Sequence, residues 1–118
     1  MNLFKNKELI NNRPMHIATV SNSNKPNLAI VADVKVIAED KIIIAHNEMI
    51  NTPKNILDNK DVVLTAFDEN WEGIRISGKA EYYTNGEYFD LVVKLFKNEN
   101  TNPKGVIVVT VTSVDEIK

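Results

Sequence analysis

Hydrophobic and polar positions alternate most clearly over residues 27–38, NLAIVADVKVIA, where Leu28, Ile30, Ala32, Val34 and Val36 share one parity. Ala29, Val31, Asp33 and Lys35 hold the other, which begins apolar and turns charged. A period of two is that of a β-strand, so the stretch predicts one long strand. Glu39 and Asp40 then turn the chain into KIIIAH (41–46), which predicts a hairpin. Ile42 to Ala45 is apolar at both parities, so each face of that strand requires a cover. VVLTAFD (62–68) makes the same demand. In GIRISGKAEYY (73–83), Ile74, Ile76, Gly78, Ala80 and Tyr82 alternate with Arg75, Ser77, Lys79, Glu81 and Tyr83, the pattern of a half-exposed antiparallel strand. MHIATVS (15–21) and VIVVTVT (106–112) add two further strands.

The period becomes helical in three places. Tyr88, Leu91, Val92, Leu95 and Phe96 form an apolar stripe, and Thr84-Asn85-Gly86-Glu87 before them has the form of a capping box. NENTNPKG (98–105) ends that helix. Leu3, Phe4, Leu9 and Ile10 fit a short amphipathic helix at the start of the chain. Between the two doubly apolar runs, EMINTPKNIL (48–57) reads as a helix start with Thr52 as N-cap and Pro53 at the first helical position. These elements predict a mainly β fold with minor α: a six-stranded antiparallel barrel with one longer helix and short helical segments. One helix covers only part of an outer wall that is apolar in two strands, so a homodimer is expected.

Composition narrows the chemistry more than the fold. The 118 residues are the size of one domain, and 43% hydrophobic content is enough for one core. The chain has no cysteine, which excludes thiol catalysis, Cys-ligated zinc and iron–sulfur clusters. A net charge of −2, with Arg13 and Arg75 the only arginines, offers no concentrated basic face for nucleic acid. No run approaches a membrane span and the N-terminus lacks the apolar core of a signal peptide, so a cytoplasmic protein without membrane or nucleic-acid partners is expected. His16 and His46 have no sequence-local partner that would make a metal pair or a nucleophile–base unit. His46 reads equally as a turn residue or a site residue. Ser21, Ser23, Ser77 and Ser113 lack a nucleophile-elbow context.

Lys54 raises a sharper question. In the first turn of a helix a cation is disfavoured by the dipole, by a few tenths of a kcal/mol. A helix N-terminus presents unpaired N–H groups and attracts anions, and Asn51, Thr52 and Lys54 add an amide, a hydroxyl and a charge there. The alternative is an ordinary Thr-Pro cap beside a solvated lysine.

The order of these pieces carries a resemblance. K-P-N-L-A-I-V, a hairpin, I-I-I-A-H-N and then N-T-P-K-N-I-L, with Thr52, Lys54, Asn55, Ile56, Asn59 and Val62 in register, are followed by Ser77-Gly78-Lys79-Ala80 and PKGVIVVTV. Over roughly residues 5–112 the chain resembles the FMN-binding split-barrel family, the pyridoxamine 5'-phosphate oxidase-like proteins. The resemblance implies a split β-barrel that dimerises around two flavin sites. It places the FMN phosphate at Asn51, Thr52 and Lys54. The isoalloxazine ring would lie along Ile30, Val31, Ala32 and Asp33 and against His46 and Asn47. Trp71 would cover the flavin or the dimer seam, or simply pack. Asp33 and Lys35 would tune the ring. The implied activity is that of an oxidoreductase passing electrons or hydride to a small acceptor, with a flavin carrier or sensor as the alternative. FAD, haem or a deazaflavin are alternatives to FMN. The paired Arg-Lys common in the family's phosphate segment is absent, as is the basic C-terminal motif of true vitamin B6 oxidases, so pyridoxamine phosphate is not the expected substrate.

Overall fold

The computed structural model describes residues 1–96 and 102–117. A 3₁₀ turn (Leu3–Asn6) runs into α1 (Lys7–Ile10). There follow β1 (Met15–Val20), β2 (Pro26–Val31), β3 (Val34–Ala38), β4 (Lys41–His46), α2 (Asn51–Asp58), β5 (Asp61–Phe67), β6 (Gly73–Tyr83), α3 (Glu87–Phe96) and β7 (Gly105–Glu116). The strands form one antiparallel sheet in the order β2-β1-β5-β6-β7-β4-β3. It curls so that the inward parity of every strand meets in one core, where Ile17, Val34, Ile42, Leu64, Ile76 and Ile107 are fully buried. Leu3, Ile10 and Ile56 pack against it from the short helices. Among the described residues no helix is long and apolar enough to cross a membrane.

Seven strands stand where the alternation predicts six, because 27–38 is two strands. β2 and β3 are the opposite edges of the sheet, and the chain passes between them at Ala32-Asp33. The Val34 amide donates to the Ala32 carbonyl (3.1 Å) and the Ala45 amide to the Asp33 carbonyl (2.9 Å), which fixes the crossing. The crossing inverts the faces. Leu28 and Ile30 are 66% and 68% exposed, whereas Val34 and Val36, of the same parity, are buried. This is the split in the barrel: its two edges are joined by the chain and share no ladder.

The two outer walls are finished differently. On β4 and β7 the outward Ile43, Ala45, Val106 and Val108 lie under Val92 and Phe96 of α3, a second core cluster within the same chain. The double apolar pattern of β4 is thus satisfied without a second copy. On β2, β1 and β5 the outward ladder Ile30–His16–Thr65 runs beside Leu28–Ala18–Val63, with exposed Phe67 at its end, and no helix covers it. Val63 and Thr65 are only half-buried, so VVLTAFD is covered on one face and not on both.

Smaller differences have local causes. α3 begins at Glu87, and its first turn is closed by the Asp90 amide on the Gly86 carbonyl (3.0 Å), so Glu87 stands at the first helical position and not the third. The break assigned to 98–105 falls partly on residues 97–101, outside the described residues. β7 continues past 112 to Glu116 because it pairs with the start of β6 across a register shift at Ser77/Gly78. A Cβ on Gly78 would lie 2.4 Å from the Thr110 carbonyl oxygen, so only glycine allows the strands to approach there.

Candidate functional site

α2 is held against the barrel by polar side chains. Asn55 Nδ2 donates to Thr19 Oγ1 (3.1 Å) and Asn27 Nδ2 donates to Thr52 Oγ1 (3.2 Å). Thr52 is 1% exposed and is the second residue of the helix, so its hydroxyl meets β2 and does not cap the N-terminus. Ile50 is the N-cap residue, and it supplies no side-chain acceptor. Pinning Thr52, Asn55 and Ile56 inward turns Asn51, Lys54 and Asp58 outward along one side.

That side faces the turn between β1 and β2. The Ser21 hydroxyl accepts from the Ser23 amide (3.3 Å) and the Lys25 amide (3.0 Å), and the Ser21 amide donates to the Lys25 carbonyl (2.9 Å). Asn24 takes a left-handed φ of 61°, which asparagine tolerates better than most residues. Between this turn and α2 lies a polar cleft of about 600 Å³, lined by Lys25, Asn27, Asn51, Lys54, Asn55 and Asp58 with Ser21, Asn22 and Ser23. Among the described residues the ion pairs are Lys41–Asp40, Lys60–Glu81 and Lys79–Asp61. Lys25 and Lys54 belong to none of them, so this cleft holds two cations without a carboxylate on either.

A second cleft, about 460 Å³, opens at the other end of β2. Ile30, Val31 and Ala32 form one wall and Ala45, Asn47, Glu48 and Met49 the other, with Asp33 at the junction. Asn47 Nδ2 donates to Asp33 Oδ2 (2.8 Å), tying the strand crossing to the β4–α2 connection. Asn47 Oδ1 is buried and has no partner among the described residues. The two clefts are consecutive along both walls. Ile30 and Asn27 are three residues of strand apart, roughly 10 Å. On the opposite wall Asn47, Glu48 and Met49 line one cleft and Asn51 the other, with exposed Ile50 between them.

His46 stands behind this groove and does not line it. Its Nε2 meets the Met49 carbonyl (2.6 Å), which can only accept, so that nitrogen carries the proton. In the neutral ring Nδ1 then accepts from the Tyr82 hydroxyl (2.6 Å). Burial pushes the Tyr82 phenol above its usual pKa. The Tyr82 ring lies against Gly105, where an added Cβ would stand 2.4 Å from the hydroxyl oxygen. The Lys104 amide donates to the His46 carbonyl (2.7 Å). His46 thus fixes residues 47–50, which form the wall of one cleft and lead into the other.

Of the residues marked in the sequence, Ile30, Val31, Ala32, Asp33 and Asn47 meet in the apolar cleft, and Asn51 and Lys54 in the polar one. Thr52 and His46 lie behind the two. Trp71 lies apart, 88% exposed in the β5–β6 turn, where it borders a separate cleft with Leu9, Asp68 and Ile117. Lys35 borders neither cleft. Lys25, Asn27, Glu48 and Met49 were not marked: Lys25 precedes the strand predicted from Asn27, and neither meets α2 until β2 is folded beside it. No group of three or more His, Asp or Glu among the described residues could hold a metal ion.

Comparison with known proteins bears on the family and the fold. A family model described as pyridoxamine 5'-phosphate oxidase matches residues 5–118. An uncharacterized protein of Methanocaldococcus jannaschii is 34% identical over 113 residues, spanning 92% of this chain and 76% of its own length. Among solved structures, HupZ of Group A Streptococcus superposes with a TM-score of 0.91 at 27% identity, covering 99% of this chain and 94% of that one. An FMN-binding protein from Syntrophomonas wolfei gives 0.78 at 23% identity over 88% of this chain and 76% of that one. A protein described as an F420 reductase gives 0.69 at 18% over 91% and 92%. The last two likenesses speak for the fold alone. With the family model covering nearly every residue and a relative of this identity spanning nine-tenths of its length, the chain belongs to the pyridoxamine 5'-phosphate oxidase family.

Proposed function

We propose that the protein binds FMN and acts as a homodimeric oxidoreductase toward a small-molecule acceptor. One observation carries the reading: an apolar cleft and a cleft with two unpaired lysines lie in series along β2, a ring's reach apart. An isoalloxazine ring suits Ile30, Val31 and Ala32, whose small and branched side chains give a flat apolar wall. Asp33 and Asn47 offer acceptors to its polar edge. A ribityl chain would follow β2 past Asn27, and the phosphate would meet the Asn51 amide and the Lys54 ammonium in charge-assisted contacts. Thr52 and His46 would act from behind, as positioning residues for α2 and for the 47–50 wall. Bound flavin supplies the redox chemistry, and the protein supplies binding, orientation and electrostatics. The bare outer wall, with Leu28, Ile30, Ala18 and Val63 beside the ring cleft, is the surface we assign to the second copy; Trp71 at its rim would then face that seam.

The test begins with the visible spectrum of the purified protein and calorimetric titration of apo-protein with FMN and with riboflavin. FMN should bind more tightly, and Lys54→Ala should weaken it by about 1–3 kcal/mol while sparing riboflavin. Equal affinities for FMN and riboflavin would sink the phosphate assignment. Steady-state turnover with NADH or NADPH and a dye acceptor then distinguishes an oxidoreductase from a carrier.

A further inference from the structure

We propose that Asn85 is a site of spontaneous covalent modification, and that one of its two products loosens α3 on the wall it seals. Of the sixteen asparagines in the chain, Asn85 alone is followed by glycine. The reaction open to this pair consumes only water and does not depend on what the two clefts hold. The Gly86 main-chain nitrogen, giving up its proton, attacks Cγ of Asn85, and the side-chain nitrogen leaves as ammonia. Water then opens the five-membered succinimide in one of two ways. Attack at Cγ breaks the new C–N bond and leaves an ordinary aspartate. Attack at the Asn85 main-chain carbonyl breaks the original peptide bond, so the chain now runs through Cγ as isoaspartate. One ammonia is lost and one water gained, with no change of oxidation state.

The structure leaves both reacting groups free. Thr84, Asn85, Gly86 and Glu87 are all exposed. Gly86 takes a left-handed φ of 97°, and a Cβ there would meet nothing within 4 Å, so no side chain and no packed neighbour shields its nitrogen. Among the described residues the Gly86 amide donates to no acceptor and the Asn85 side chain has no hydrogen-bond partner. Other asparagines are followed by nitrogens already engaged as donors. The Asn12 amide donates to the Val34 carbonyl (2.9 Å) and the Trp71 amide to the Asp68 carbonyl (3.2 Å). The Ser23 and Lys25 amides both donate to the Ser21 hydroxyl. Asn11, Asn22, Asn24 and Asn70 therefore face a nucleophile that is hydrogen-bonded and carries a side chain.

The place of Asn85 in the fold separates the two products. It lies between the end of β6 at Tyr83 and the start of α3 at Glu87. Tyr83 and Tyr88 stack across it, with 5.9 Å between ring centres and 23° between planes. The Asp90 amide closes the first turn of α3 on the Gly86 carbonyl. Aspartate at 85 keeps this main chain and puts a negative charge ahead of a helix N-terminus, where the dipole favours it. Isoaspartate inserts a methylene into the main chain between the two stacked rings, which shifts the Gly86 carbonyl away from the Asp90 amide. Val92 and Phe96 of the same helix cover Ile43, Ala45, Val106 and Val108, so a loosened first turn is felt at the sealed wall.

The test is to incubate the purified full chain at mildly alkaline pH and map its tryptic peptides by mass spectrometry. Peptide 80–94 has Asn85 as its one asparagine. It should gain one dalton and split into two chromatographic species, one of them methylated by isoaspartyl methyltransferase. Its conversion should be at least tenfold faster than that of any other asparagine-bearing peptide. Asn85→Gln, which would have to close a six-membered ring, should melt like the fresh protein and leave peptide 80–94 unconverted over the same interval. The isoaspartyl protein, separated by ion exchange, should melt below the fresh protein and exchange the amide hydrogens of α3 at least tenfold faster. Asn85→Asp should do neither. Conversion of peptide 80–94 no faster than that of the others overturns the modification site. An isoaspartyl form with the melt and exchange of the fresh protein, or equal losses in Asn85→Asp, overturns the effect on α3.

Discussion

The outer wall of β4 and β7 and the outer wall of β2, β1 and β5 belong to the same sheet, yet one is sealed and the other is bare. The sealed wall presents Ile43, Ala45, Val106 and Val108, an unbroken apolar surface, and the chain returns α3 to cover it. The bare wall interleaves its apolar side chains with His16 and Thr65 and receives no helix. The stacking of His16 on Phe67 (6.1 Å between ring centres, 16° between planes) and its contact with Thr65 Oγ1 (3.2 Å) show how this wall satisfies its own polar groups. A surface of this mixed character can stand in water and still pair with another protein surface, whereas the sealed wall must be covered for the monomer to fold.

The comparison breaks most visibly at Phe96, which is 1% exposed under α3. Phe96→Ala should cost about 3–5 kcal/mol in urea unfolding and lower the melting temperature by roughly 10 °C or more. Ile30→Thr keeps β-branching on the bare wall and should stay within about 0.5 kcal/mol in dilute protein. Similar losses for the two would mean that the walls do not differ. At the end of β4, Tyr82→Phe leaves the buried Nδ1 of His46 without its donor and should cost about 1–3 kcal/mol. That loss should appear at pH 7 in the denaturant midpoint. On the bare wall, Ile30→Lys should raise the dissociation constant of the proposed dimer tenfold or more, about 1.4 kcal/mol, by sedimentation equilibrium, with monomer stability little changed. Undiminished association of this variant would move the dimer seam elsewhere. The smallest effect is alkaline. The Tyr82 phenol is raised by burial above its ordinary value near 10, so the folded state holds this proton more tightly than the unfolded chain does. Its contribution is constant below about pH 10 and fades as pH rises toward the folded-state value. Urea midpoints from pH 8 to pH 11 should fall more for the wild type than for Tyr82→Phe.

The same two walls show what was legible in the sequence. KIIIAH and GIRISGKAEYY coincide with β4 and β6 to the residue, because hairpin turns and unbroken patterns delimit them locally. The need for a cover on β4 was also readable. Its identity was not, since an apolar face carries no mark of whether its partner is a helix forty residues on or a second chain. The crossing at Ala32-Asp33 was hidden for a related reason. Parity continues through it, and only the tertiary fold turns Ile30 outward and Val34 inward. At the site, Lys54 and Asn51 were marked by their place on a helix start, and the apolar ring wall by resemblance. Thr52 was misjudged because a Thr-Pro pair signals a cap, while its actual partner, Asn27, lies 25 residues away. Lys25 could not be linked to the site locally: the charged residues it shares the cleft with, Lys54 and Asp58, come from α2.

Trp71 is the single tryptophan of the chain, held at a left-handed φ of 65° in a turn where Asp68 Oδ1 accepts from the Asn70 and Glu72 amides. A bulky residue in that conformation is strained by roughly 1–3 kcal/mol, so the indole's outward direction is fixed by the turn and not by packing. Its optical consequence is specific. All intrinsic indole emission comes from one solvated point at the β5–β6 rim of the sheet, so monomer unfolding should hardly move the emission maximum. A blue shift with rising protein concentration would instead report contact at that rim, which makes the native protein its own label for self-association.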